Sequence, residues 1–125
     1  MSSTFVAIDF ETANSVRASA CQVGLARFEG GKVVATFETL LKPHPTFGHF
    51  DPINTSIHGI RESDVSEAPE FDATWGELHE FIGRSHLVAH NAGFDMSVLR
   101  GLFDTYRLEY PSIDYFCTLM LSRNL

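Results

Sequence analysis

The sequence predicts an α/β fold in which a mixed β-sheet is flanked by helices, and three patterns support this. The chain opens with three extended runs, at residues 4–10, 20–28 and 32–41. Gly30-Gly31 separates the second run from the third and supplies the positive φ that a tight hairpin turn needs. Helical and extended patterns then alternate, as in sheets that carry packed helices.

The first run is apolar and β-branched enough to form a buried strand, and the hairpin makes the second and third strands antiparallel. Residues 42–69 predict a loop-like connection, because proline and glycine interrupt every long period there. The pattern at Arg61–Ser66 allows one short helical turn. The interrupting residues are Pro43, Pro45, Gly48, Pro52, Gly59 and Pro69.

Helical spacing begins after this connection. Apolar residues recur at three- and four-residue steps, and Gly83 follows them as a stop signal. We expect this apolar stripe to belong to the core. His86–His90 then predicts a short buried strand. The residues of the stripe are Phe71, Trp75, Leu78 and Ile82.

A second helix is predicted from another apolar face, and Asn91 stands just before it as a candidate cap. Pro111 marks the next boundary. Ile113–Cys117 predicts a last short strand, and Thr118–Leu125 the beginning of a further helix. The apolar face consists of Phe94, Val98, Leu99, Leu102, Phe103 and Tyr106.

Length and composition indicate a single domain over residues 1–125. Hydrophobic residues make up 44% of the 125 residues, which is enough for a core. We expect no signal peptide, and no apolar run approaches the roughly 20 residues of a membrane span. Cys21 and Cys117 lack metal-ligand spacing, so we expect core thiols in a reduced, cytoplasmic setting. The net charge of −7 argues against a broad basic surface for nucleic acid, but it allows a local grip on a strand end.

Asp9 and Glu11 stand two residues apart at the end of the first strand. Because strand side chains alternate between faces, both carboxylates point the same way, with their bases about 6–7 Å apart. Phe10 points to the opposite face, where it can anchor the strand. A divalent cation relieves the repulsion between such charges, and carboxylate oxygens suit Mg²⁺ or Mn²⁺. The tripeptide alone also fits a solvated strand end, which is the commoner case.

Asp95 lies at the junction between the short buried strand and the second helix. It is one step, about 100°, around the helix from Phe94, which brings it close to the sheet edge. A carboxylate in the first helical turn is also favoured by the helix dipole. The residue alone therefore leaves a helix-start role and a role in an acidic site both open.

Three segments resemble the DEDD superfamily of exonucleases. Val6–Thr12 is similar to the first exonuclease motif, and Leu87–Asp95 is similar to the second. Asn54–Ile60 contains Ile-His-Gly-Ile, a loop common among proofreading epsilon subunits of bacterial DNA polymerase III and their stand-alone relatives. The order and spacing of the three segments agree with that group, and the likeness runs from about residue 4 to the end.

The resemblance implies a ribonuclease-H-like fold and stepwise removal of nucleotides from a single-stranded 3′ end. It also implies two divalent ions, Mg²⁺ or Mn²⁺. Asp9 would contact both ions, and Glu11 would bind one and help to position the nucleophilic water. Asp95 would complete the coordination, directly or through water.

The resemblance also implies a substrate-binding set. Thr12 would meet the terminal nucleotide near its sugar, His58 would lie beside that nucleotide, and Asn91 near the scissile phosphate. Each has a plainer alternative: Thr12 as a turn cap, His58 as a structural loop histidine, and Asn91 as a helix cap. His90 is expected to satisfy a buried hydrogen bond.

The sequence departs from the family pattern in one respect. The epsilon-like group needs a fourth carboxylate, with a histidine about five residues before it as the general base. No histidine follows His90, and the remaining acids (Asp104, Glu109 and Asp114) stand outside that context. We therefore expect a C-terminally truncated exonuclease domain that is weak or inactive by itself, with one sheet face left uncovered.

Two other classes of function stay open at this point. One is a non-catalytic module that keeps the fold and serves as a nucleic-acid-binding or assembly partner. The other is a two-metal enzyme on a different fold, against which the Ile-His-Gly-Ile loop argues. The sequence does not decide between DNA and RNA, whether a DNA polymerase subunit is a partner, or the oligomeric state.

Overall fold

The computed structural model describes residues 4–89 and 91–109, and its centre is a four-stranded mixed sheet. The strand order is β3-β2-β1-β4. The first three strands pair antiparallel, and β4 runs parallel to β1. This confirms the predicted fold class and the first three strands. The strands are β1 (Thr4–Thr12), β2 (Ala20–Glu29), β3 (Lys32–Leu40) and β4 (His86–Ala89).

The β2–β3 hairpin turns where the sequence predicts. Glu29 pairs with Lys32, and both glycines between them have positive φ, 58° for Gly30 and 81° for Gly31. Such a two-residue turn matches the twist of the strands only when both central residues take this conformation. The glycine pair therefore fixes the register of the hairpin.

Within the described ranges, three helices accompany the sheet. The two that helical spacing predicts are present, as α2 (Phe71–Ile82) and α3 (Ala92–Tyr106). A 3₁₀ turn at Glu62–Val65 corresponds to the predicted helical turn, and another lies at Pro45–Phe47. The remaining helix, α1, spans Pro52–His58 within the segment that we predicted to be a loop.

The prediction of a loop-like connection over 42–69 is wrong at α1, because the breaking residues there mark the ends of a helix. The Asp51 carboxylate accepts the Ile53 N–H at 2.9 Å, which caps the first turn. Pro52 occupies a first-turn position, where its missing N–H costs nothing. Gly59 has φ 77° and ends the helix in the left-handed conformation that favours glycine.

The core fills one face of the sheet. Every second side chain of β1, at Val6, Ile8 and Phe10, lies on the face that packs against α2 and α3, and Phe10 is only 2% exposed. Asp9 and Glu11 lie on the opposite face, as the strand alternation predicts. The apolar stripe of α2 belongs to this core, together with Val98, Leu99, Leu102 and Phe103 of α3.

A second, smaller cluster contains Cys21, which is fully buried and free, in agreement with the expected core thiol. The predictions for His90, for the strand at 113–117, for Cys117 and for the helix at 118–125 fall outside the described residues. No helix in the described ranges is long and apolar enough to cross a membrane.

Candidate active site

The acidic pair opens onto a cleft at the carboxyl end of β1. Asp9 is exposed and Glu11 is half-buried, and both border the same cavity of about 340 Å³. Every residue for which the sequence predicts a substrate role also lines this cavity. Its lining consists of Asp9, Phe10, Glu11, Thr12, Asn54, Ile57, His58, Asn91 and Phe94.

Asp95 lies against the backbone between the paired acids. Among the described residues, the parallel pairs of β1 and β4 run as far as Ile8–Ala89. Two residues further along β1, the Phe10 N–H donates to Asp95 Oδ1 at 3.0 Å, and the Asn91 N–H donates to Asp95 Oδ2 at 2.8 Å. The carboxylate is 1% exposed and thereby joins the end of β1 to the start of α3.

These two hydrogen bonds bear on whether the Asp95 carboxylate can also bind a metal ion. Each carboxylate oxygen has a second lone pair, so a backbone bond does not exhaust its capacity as an acceptor. Even so, the described part of the chain contains no group of three histidine, cysteine, aspartate or glutamate side chains placed to hold a metal ion. The sharing of an ion by Asp9, Glu11 and Asp95 therefore stays a prediction.

Thr12 is held in the cleft wall by α1. Asn54 and His58 are one helical turn apart and both approach the Thr12 carbonyl oxygen. The Asn54 amide donates to it at 3.1 Å, and His58 Nε2 lies 2.9 Å from it. The same amide is 3.3 Å from Thr12 Oγ1. The end of β1 and its hydroxyl are thus positioned by two side chains on one face of α1.

The contacts of His58 define its tautomer. The Ile60 N–H donates to Nδ1 at 2.9 Å, so Nδ1 is the acceptor nitrogen of the ring. The proton of the neutral ring is then on Nε2, which donates to the Thr12 carbonyl. His58 borders the cleft and also has a clear structural role. Contact between His58 or Thr12 and a nucleotide stays a prediction.

Cys21 lies directly behind this wall. Its Sγ is 3.9 Å from His58 Nε2. Burial, and then the negative charge of Glu11, raise the pKa of the Cys21 thiol from 9.0 to about 12. The thiol is therefore neutral at physiological pH, and it fills space behind the acidic pair as an inert group.

Asn91 occupies the N-cap position of α3, but its side chain makes no capping hydrogen bond to the described helix. Its backbone N–H donates to Asp95 Oδ2 instead, and the choice between a helix cap and a contact with the phosphate stays open. Sequence reasoning also missed Asn54, Ile57 and Phe94 as lining residues. If Pro52 and Gly59 are interpreted as the ends of a helix, the four-residue spacing of Asn54 and His58 predicts that both side chains lie on one face of it.

The mixed sheet of this order, with acidic residues at the end of its first strand, agrees with a ribonuclease-H-like fold. A family model described as exonuclease, RNase_T, matches residues 6–125. The chain therefore belongs to this exonuclease family, which confirms the resemblance to the DEDD type.

Two proteins illustrate the sequence relationship. A Mycobacterium tuberculosis protein named as a bifunctional exonuclease/endonuclease is 32% identical over 98% of the chain, which covers 20% of that protein. A PolC-type DNA polymerase III of Oceanobacillus iheyensis is also 32% identical over 98% of the chain, which covers 8% of it. The chain thus spans a fifth or less of the length of these two relatives.

Solved structures share the fold at lower identity. The nuclease domain of 3′hExo, a DEDDh family member bound to rAMP, superposes with a TM-score of 0.73 at 17% identity, covering 86% of this chain and 62% of that one. Escherichia coli exonuclease I in complex with an oligonucleotide gives 0.73 at 22% identity, covering 90% and 26%. These likenesses confirm the ribonuclease-H-like fold that the resemblance implies.

Proposed function

We propose that the protein hydrolyses phosphodiester bonds at the 3′ ends of nucleic acid with divalent metal ions. The observation that carries the proposal is the cleft at the end of β1, where Asp9 and Glu11 open side by side and Asp95 is anchored to the backbone between them. Membership of the exonuclease family supports the reaction class. A proofreading role beside a DNA polymerase is supported by the PolC-type relatives alone.

The side chains of the cleft suit a hard cation. Asp9 and Glu11 supply oxygen ligands on one face of a strand, where two negative charges favour a divalent ion between them. Asp95, which two backbone N–H groups hold between the other two acids, is the third proposed ligand. Two bound ions, Mg²⁺ or Mn²⁺, would activate water and stabilise the charge on the phosphodiester.

The cleft wall positions the substrate in this proposal. Thr12 is directed by Asn54 and His58 toward the sugar of the terminal nucleotide. The exposed side chain of Asn91 meets the phosphate from the α3 side. Positioning of this kind contributes strongly to phosphodiester hydrolysis, because the reacting atoms must be held in line.

The test is the shortening of a 5′-labelled single strand in the presence of Mn²⁺. A 3′→5′ exonuclease removes one nucleotide at a time, so the labelled products form a ladder that descends from full length. We expect Asp9→Asn to slow this shortening by at least about 100-fold, since a metal ligand is lost. Glu29→Gln is the matched control, because Glu29 is exposed at the opposite end of β1, where it pairs with Thr4.

A 5′ label released at once as mononucleotide would contradict the polarity. Where the wild-type protein shortens the strand, an equal rate for Asp9→Asn would contradict the site. A second candidate function is a non-catalytic nucleic-acid-binding module, which is favoured by the backbone bonds that both Asp95 oxygens accept. Its signature is binding of the strand without any shortening in Mg²⁺ or Mn²⁺.

A further inference from the structure

The loop between β1 and β2 is held rigid beside the cleft. Asn14 is 2% exposed, and its side-chain amide donates to the carbonyls of Phe47 and His49 at 2.9 and 2.8 Å. The Asn14 side-chain oxygen, Oδ1, accepts a hydrogen bond from the Val16 N–H at 2.9 Å. Ser19 closes the loop, with its N–H donating to the Val16 carbonyl at 3.0 Å. Residues 13–19 therefore form a fixed platform and not a free connection.

The platform is docked on α3 by a close approach. A Cβ at Gly101 would lie 3.4 Å from the Ala18 nitrogen and 3.5 Å from the Ala18 Cβ. The absence of a side chain at Gly101 lets the loop lie directly on the helix. Phe94 is two helical turns before Gly101 on the same side of α3. Because Ala18 packs on Gly101, the residue before it, Arg17, lies over the ring of Phe94.

Arg17 places a positive charge at the edge of the acidic cleft. Its guanidinium carbon lies 4.9 Å from the ring centroid of Phe94, and Phe94 itself lines the cleft. Contact with a ring face does not use the five N–H donors, which lie in the plane of the guanidinium group. Arg17 is exposed, in a chain whose net charge is −7.

We propose that Arg17 binds a backbone phosphate of the nucleic-acid strand as the strand leaves the cleft. This proposal rests on the proposed function and adds a substrate-positioning residue to it. The guanidinium fork matches phosphate oxygens, and Phe94 holds it in one place before the strand arrives. The contact carries no base specificity, since a phosphate is the same at every nucleotide.

The experiment measures binding of a fluorescent single-stranded oligonucleotide at several KCl concentrations. Ca²⁺ replaces the catalytic metal so that the strand stays intact. We expect Arg17→Ala to weaken binding about five-fold at low salt and to make the slope of log K against log [KCl] shallower by about 0.7. Arg17→Lys should keep the wild-type slope, because it keeps the charge.

Arg84→Ala is the matched control. Arg84 is exposed and comes just before β4, whose first pair is with Phe5 at the end of the sheet remote from the cleft. Equal salt slopes for Arg17→Ala and Arg84→Ala would overturn the proposal and leave Arg17 as a structural contact to Phe94. Failure of the wild-type protein to bind the strand would overturn the proposed function together with it.

Discussion

Asp95 and Asp9 differ in environment although both belong to the candidate site. Asp95 is buried and accepts two backbone N–H groups, whereas Asp9 is exposed beside Glu11. Loss of the negative charge should therefore act on the stability of the fold in opposite directions. At Asp95 it removes an acceptor of backbone hydrogen bonds, and at Asp9 it removes a repulsion from Glu11.

We predict that Asp95→Asn lowers the free energy of unfolding by about 1–3 kcal/mol, because an amide has one acceptor oxygen and leaves either the Phe10 or the Asn91 N–H without a partner. Asp9→Asn should change it by less than about 0.5 kcal/mol. Urea unfolding of both variants without metal measures the difference. Equal losses for the two would show that Asp95 does not carry the link between β1 and α3.

Some of these residue roles could be predicted from the sequence and others could not. The shared face of Asp9 and Glu11 follows from strand alternation alone. The backbone bond from Phe10 to Asp95 joins residues 85 positions apart in the sequence, which no local pattern reveals. The position of Arg17 depends on the docking of an aperiodic loop, so spacing gives no sign of it.

At the scale of elements, α1 is the part of the site that pattern analysis missed. A seven-residue helix has too few turns for a repeat of apolar residues to be recognised in the sequence. The helix is defined by its ends, and its inner face carries polar groups that hold Thr12. Its larger apolar side chains, Ile53 and Ile57, are exposed. Capping therefore stabilises this element more than core packing does.

Gly59 and Gly76 give a matched test of this view. Gly59 ends α1 with φ 77°, and alanine in that conformation should cost about 1 kcal/mol. Gly76 lies in the middle of α2, where an added Cβ meets nothing within 4 Å. Alanine there should stabilise by up to about 1 kcal/mol, through helix propensity.

Thermal unfolding should therefore show a lower Tm for Gly59→Ala and a higher one for Gly76→Ala. Gly59→Ala should also weaken binding of the strand, because α1 positions Thr12, whereas Gly76→Ala should leave it unchanged. A Tm for Gly59→Ala at or above that of the wild type would show that α1 is not held by its left-handed end.

At the scale of the whole molecule, the site joins segments that are far apart in sequence. Residues 9–12 come from β1, Asn54 and His58 from α1, and residues 91–95 from the junction of β4 and α3. The parallel pairing of β4 with β1 brings the first and last of these together. The Asp51 N–H donates to the Ala13 carbonyl at 2.8 Å and brings α1 to the same place.

The order of the strands and of the two longer helices along the chain could be predicted, because their periodic patterns extend over many residues. The pairing of β4 beside β1 is not local, and no spacing in the sequence reveals it. The cytoplasmic location stays a prediction, and the choice between DNA and RNA stays open.

The central claim is that the cleft beside Asp9, Glu11 and Asp95 binds a divalent cation, and Mn²⁺ tests it most directly. Anomalous diffraction from crystals soaked in Mn²⁺ locates the ion without assumptions about activity. We predict a peak within about 2.5 Å of carboxylate oxygens of both Asp9 and Glu11, and no such peak in Asp9→Asn crystals. Anomalous density confined to other carboxylates, with none in this cleft, would contradict the claim.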